Sequence, residues 1–112
     1  MKPPSEADIV HACVDYLRYR GYLVWRASTG AARYPNADGT HRLMRFGPVG
    51  QPDIFAVIPH AGRLLAVECK QPGRHATPAQ ADFLGRINRA GGLGIVVHSL
   101  NELIEALARA EV

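Results

Sequence analysis

The chain reads as an α/β domain in which a mixed β-sheet is flanked by helices, in the order α-β-β-β-α-β-α over residues 1–112. Three observations predict this. Helical periodicity recurs in three separate stretches, short runs rich in branched and aromatic residues lie between glycine- and proline-containing turns, and the middle helix falls between the third and fourth strands. A helix in that position is the crossover that parallel neighbouring strands require, whereas the short turn between the second and third strands makes them antiparallel.

Ser5 is a good N-cap, with Glu6 and Asp8 complementing the dipole of the first turn. Ile9, Ala12, Cys13, Tyr16 and Leu17 then form one apolar stripe, and Gly21 stops the helix. The run 22–27, Tyr-Leu-Val-Trp-Arg-Ala, is strand-like. Residues 28–50 lack periodicity and contain Gly30, Pro35, Gly39, Gly47, Pro48 and Gly50, so they read as a long loop of the functional kind, with a short strand or flap at 43–46 as an option. Asp53 to Ile58 is a second strand, 59–62 a turn, and Arg63 to Lys70 a third strand. Alternation along the last puts Leu64, Ala66, Glu68 and Lys70 on one face and Leu65, Val67 and Cys69 on the other. Thr77, with Pro78 at the first helical position, opens a helix whose stripe is Phe83, Leu84, Ile87 and Ala90 and which Gly91-Gly92 ends. Leu93 to His98 is a buried strand, and Ser99 with Glu102 forms a capping box for a last helix bearing Leu103, Ile104, Leu107 and Ala108.

Composition narrows the function classes. No apolar run approaches the roughly 18 residues needed to span a membrane, and the start of the chain lacks a signal-peptide stretch, so a cytoplasmic protein is expected. Cys13 and Cys69 read as buried packing residues, and the five histidines show no zinc spacing. Residues 18–45 hold six arginines (Arg18, Arg20, Arg26, Arg33, Arg42, Arg45) against the single acid Asp38. That clustering is the footprint of a polyanion-binding surface; a bias toward arginine in the source genome accounts for the residue type but not for the clustering.

The chemistry-bearing pattern is Gly50-Gln51-Pro52-Asp53 followed by Glu68-Cys69-Lys70. Asp53 at the start of one strand and Glu68 near the end of its antiparallel neighbour lie at the same end of a hairpin, with Lys70 on the face of Glu68. Two carboxylates held close repel one another unless a cation or a proton sits between them. Magnesium accepts one or two carboxylates together with waters and phosphate oxygens, so the pattern points to metal-dependent phosphodiester chemistry. Lys70 has three open roles: orienting the attacking water, deprotonating it, or balancing phosphate charge. Local physics reads Gln80 as the second half of a capping box with Thr77 and Glu6 as a first-turn acid.

In Glu6, Val24-Trp25-Arg26, Gly50-Gln51-Pro52-Asp53, Glu68-Cys69-Lys70 and Gln80-Ala81-Asp82-Phe83, taken in that order, the chain resembles a stand-alone VRR-NUC domain of the PD-(D/E)xK nuclease superfamily. The resemblance runs from Glu6 through the tail and implies a restriction-endonuclease-like fold. It further implies that Asp53, Glu68 and the backbone carbonyl of Cys69 bind Mg²⁺ or Mn²⁺, that Lys70 and Gln80 complete the catalytic centre, and that Glu6 is an additional ligand or water-holding acid. Arg26, Arg33, Arg42, Arg45 and Arg74 are the expected DNA contacts. Small phage and bacterial members of this kind are similar to Holliday-junction resolving enzymes, which implies a homodimer acting on branched DNA. A non-catalytic nucleic-acid-binding subunit and a restriction-type or nicking nuclease are the alternatives.

Overall fold

The computed structural model describes residues 2–27, 31–45, 47–110 and 112, and of residue 45 the backbone alone. The elements are α1 (Glu6–Tyr19), β1 (Leu23–Arg26), β2 (Ala31–Pro35), β3 (His41–Arg45), β4 (Ile54–Val57), β5 (Leu64–Cys69), α2 (Pro78–Arg89), β6 (Leu93–Val97) and α3 (Leu100–Arg109). Four strands make the main sheet in the order β1-β4-β5-β6. β1 with β4 and β4 with β5 are antiparallel, while β5 and β6, joined through α2, are parallel. The mixed sheet flanked by helices is therefore the expected architecture.

One expectation is corrected. The stretch 28–50 is not a structureless loop, because β2 and β3 form an antiparallel ribbon, with Ala31 opposite Arg45 and Pro35 opposite His41. The strand option at 43–46 lies within β3, except that Phe46 is outside the described residues. The ribbon's tip is closed by Asn36 N–H donating to the Thr40 carbonyl at 2.7 Å, with Gly39 at φ +88°. Among the described residues, neither strand of the ribbon touches another helix or strand. The molecule is accordingly drawn out, 55 × 39 × 27 Å with a radius of gyration of 15.8 Å, against roughly 13 Å for a compact chain of this size.

Strand alternation divides the main sheet between two helical layers. Val24, Ile54, Ala56, Leu65, Val67, Cys69 and Val97 face a core shared with Ile9, Val10, Cys13 and Leu17 of α1 and Leu103 and Leu107 of α3. The opposite face carries Trp25, Phe55, Ala66, Glu68 and Gly94 and receives α2. Gly94 permits this close approach, since a Cβ there would meet the Leu84 backbone at 2.8 Å. Both glycine stops act as expected: after α1, Gly21 N–H donates to the Arg18 carbonyl and Tyr22 N–H to the Leu17 carbonyl, a Schellman closure. The cysteines are free and fully buried. The last capping box is corrected in part: Ser99 caps α3 by accepting from Glu102 N–H, but the Glu102 carboxylate turns to His98, accepting from its backbone N–H and its ring.

Candidate active site

The last β4–β5 ladder pair is Ile54 with Val67. Extending that register by one residue puts Asp53 opposite Glu68, and residues directly opposite in an antiparallel pair share a face. The ladder ends there because the Asp53 side chain takes over: its Oδ2 accepts from Cys69 N–H at 2.8 Å. In a strand the N–H and C=O of one residue lie on the same edge, so the Cys69 carbonyl opens on the side that Asp53 occupies.

Among the described residues Glu68 is the one buried acid, 2% exposed within a strand of apolar residues. Its Oε1 accepts from Gln80 Nε2 at 3.2 Å and lies 3.9 Å from Lys70 Nζ. Its Oε2 is buried with no hydrogen-bond partner. Burial, and after it the neighbouring Asp53 carboxylate, push the Glu68 carboxyl up to about 8, with Lys70 opposing the shift. Lys70 is itself held in place, since its backbone N–H donates to the Val97 carbonyl.

Gln80 closes the capping box expected of it and also reaches Glu68. Its Oε1 accepts from Thr77 N–H at 2.8 Å and its own N–H donates to the Thr77 hydroxyl, completing the capping box. That bond fixes which end of the amide is free, so the Nε2 donor goes to Glu68. Gly50 sets the facing wall: it sits at φ +83°, and a Cβ there would come within 2.3 Å of the Ala79 carbonyl oxygen. Only glycine lets the 47–51 segment lie against the start of α2.

These side chains line one cleft of about 320 Å³, made by Glu6, residues 47–51, Asp53, Glu68, Lys70, Thr77, Ala79 and Gln80. Glu6, Asp53, Glu68, Lys70 and Gln80 are thus brought together from α1, β4, β5 and α2. Among the described residues, no group of three or more His, Cys, Asp or Glu side chains is arranged to hold a metal by itself. The donor set is two carboxylates, a nearby main-chain carbonyl and a more distant acid, all of them oxygen. Such a set suits a hard cation that keeps several waters, and an unpartnered buried carboxylate oxygen is the feature a cation would satisfy.

No family model and no curated protein matches the chain. Among solved structures it is similar to a chain described as a VRR_NUC domain, at a TM-score of 0.67 and 18% identity, covering 97% of this chain and 100% of that one. The chain has a VRR-NUC nuclease fold. At that identity the likeness is one of architecture, so the roles of individual side chains rest on the geometry above.

Within the VRR-NUC fold the expected DNA-contacting arginines are dispersed. Arg26 is exposed on β1 and Arg33 and Arg42 on the ribbon, while the Arg45 side chain lies outside the described residues. None of the described ones lines the cleft. Arg74 lines a second opening of about 440 Å³ that shares Glu6, Lys70 and Thr77 with the first. The loop carrying it is pinned by a residue the sequence reading passed over. His98 Nε2 lies 2.8 Å from the Arg74 carbonyl and Nδ1 lies 2.9 Å from Glu102 Oε1. The bond to Glu102 and then that to the Arg74 carbonyl raise the pKa of the ring, favouring its charged form. The i,i+4 spacing of His98 and Glu102 was the signal available. Finally, no helix among the described residues is long and apolar enough to cross a membrane.

Proposed function

We propose that the chain is a Mg²⁺- or Mn²⁺-dependent DNA endonuclease that hydrolyses phosphodiester bonds, selective for branched DNA of the Holliday-junction type and active as a homodimer. The observation that carries this reading is the Glu68 carboxyl, buried against the Asp53 carboxylate with one oxygen that accepts no hydrogen bond from a protein donor. A structural acid in a sheet is satisfied by its neighbours; one left half-satisfied against a second carboxylate is suited to a cation.

Asp53, Glu68 and the Cys69 carbonyl would hold the ion, with Glu6 on the far wall of the cleft as an additional ligand or as an acceptor for a water. When bound, the metal supplies Lewis-acid polarisation of a phosphoryl oxygen and acidifies water. The protein supplies the rest. Gln80 holds Glu68 Oε1 in place through its Nε2 donor, and Asp53 is oriented by the Cys69 N–H. Lys70, 3.9 Å from Glu68 Oε1, brings positive charge to the position where negative charge grows on the phosphoryl oxygens. Arg74, on the rim of the adjoining opening, suits a phosphate further along the strand, since its planar fork matches phosphate oxygens.

Asp53→Ala and Glu68→Ala are each expected to abolish cleavage of four-way-junction DNA while leaving junction binding largely intact. Calorimetric titration with Mn²⁺ should show a site in the parent and none in Glu68→Ala. An Asp53→Ala protein that cuts as well as the parent would remove the assignment. Two-fold-related copies suit symmetric incision of a branched duplex, because one such cleft cuts one strand. Cleavage of junction, flap, single strand and linear duplex side by side tests the structural preference.

A further inference from the structure

Among the described residues, no residue of the β2–β3 ribbon lines the cleft, and neither of its strands packs on another helix or strand. An isolated two-stranded ribbon is marginally stable in water, and this one leaves Tyr34, Leu43 and Met44 40%, 61% and 45% exposed. It is built to be covered. Its roots indicate by what. Ala27, just past β1, donates its N–H to the Asp53 carbonyl at 2.9 Å, and the returning leg after β3 runs through residues 47–51, which wall the cleft. The described residues on either side of the ribbon, Ala27 and 47–51, therefore both lie at the cleft that holds the candidate metal-binding aspartate, which sets the ribbon beside that cleft along the chain.

The charge on the ribbon is complementary to a polyanion. Arg33 and Arg42 are exposed, and the one acid, Asp38, is occupied within the tip, its Oδ1 accepting from the Thr40 N–H at 3.0 Å and the Thr40 hydroxyl at 2.6 Å. Arg42 is set in advance: one Nη donates to Asn36 Oδ1 at 3.1 Å and the guanidinium lies 5.9 Å from the centre of the Tyr34 ring. The remaining donors of that rigid fork are left for phosphate oxygens or a guanine edge. Strands of five residues extend about 17 Å, and the major groove of B-DNA, about 12 Å wide, admits a two-stranded ribbon. Met44, on the same face of the ribbon as Tyr34 and Arg42, has its counterpart there in thymine methyl groups.

We infer that the β2–β3 ribbon is an arm that enters the major groove of duplex DNA beside the cleft, making a duplex flank on one side of the scissile bond a requirement of the substrate. This rests on the reading of the cleft as a nuclease site and names the part of the substrate that the cleft itself does not touch.

Dimethyl sulfate footprinting of the full chain on a short linear duplex and on a four-way junction, with EDTA to prevent cutting, reads groove occupancy directly. Guanine N7 atoms should be protected on one side of the position cut when Mg²⁺ is added. Arg33→Ser/Arg42→Ser should weaken duplex binding by about tenfold or more at moderate salt and lower the magnitude of the salt slope by about 2, with a much smaller loss on single strands. Binding without N7 protection overturns the arm alone, as does an unchanged affinity and slope in the double variant. Leu43→Glu/Met44→Glu converting a dimer to a monomer with duplex affinity intact would assign the ribbon to a second copy of the chain and overturn it too. Absence of any DNA binding by the parent chain would instead remove the nuclease reading together with this one.

Discussion

Gln80 shows how one side chain can belong to a helix cap and to the candidate centre at once, because its two amide ends are assigned to different partners. This separates two effects by substitution. Gln80→Glu keeps a carboxylate oxygen for Thr77 N–H, and negative charge is welcome in the first turn of a helix, so stability should hold. The donor to Glu68 is lost and a like charge replaces it, so cleavage should fall by on the order of 100-fold, the usual cost of removing a preorganised donor. Gln80→Ala should lose the same activity and about 1 kcal/mol of stability besides, read by urea unfolding. Glu68 gives a pH signature. Its carboxyl titrates near 8 in the fold, above the usual carboxylate value of 4.5, so the native protein keeps a proton that the unfolded chain has released. Stability without metal should therefore fall as pH rises from about 4.5 to about 8 and level off above. Mn²⁺ should raise the melting temperature more at pH 8 than at pH 5.5, and Glu68→Gln should flatten both dependences.

At the scale of elements, the β4–β5 hairpin and the start of α2 do the positioning. Gly50 is where the two meet, and Gly50→Ala should cost about 2 kcal/mol or more from the left-handed backbone alone. The added Cβ would also push the 47–51 segment off Ala79, so activity should drop further than stability does; thermal unfolding and cleavage measured on the same preparation check this. The hairpin was legible from residue types because β-branched runs around 59–62 and the alternation of Glu68 with Val67 and Cys69 encode register and face. The ribbon was not, although its signal was present: Asp38-Gly39 within a short turn is a hairpin signature. Its strands mix apolar and basic residues on both faces and pack on no other helix or strand among the described residues, so the apolar alternation that marks a half-buried strand is absent, and the surrounding glycines and prolines read as loop. Glu102 escaped for a different reason. A capping box and a histidine partner call for the same acid at the same spacing, and only packing decides between them.

Over the whole molecule, the mixed sheet and its flanking helices follow from periodicity and from the crossover argument, while the strand order β1-β4-β5-β6 and the separate ribbon that periodicity missed are seen only in the fold. The candidate cleft was legible as a set of residues because Asp53, Glu68, Lys70 and Gln80 sit on regular elements whose geometry is fixed by spacing. What spacing could not convey was depth: that Glu68 is almost wholly enclosed, that its second oxygen accepts no hydrogen bond, and that the His98 ring steadies the lip on which Arg74 stands. The cleft also gathers side chains from position 6 to position 80, with the Glu68 contact supplied by Gln80 arriving last in the chain. During synthesis, the strand pair bearing both carboxylates exists before the helix that steadies them. A fragment ending ahead of Thr77 would hold two acids and no amide to orient one of them, so the centre proposed above stays incomplete until the second helix has emerged and wound its opening turn.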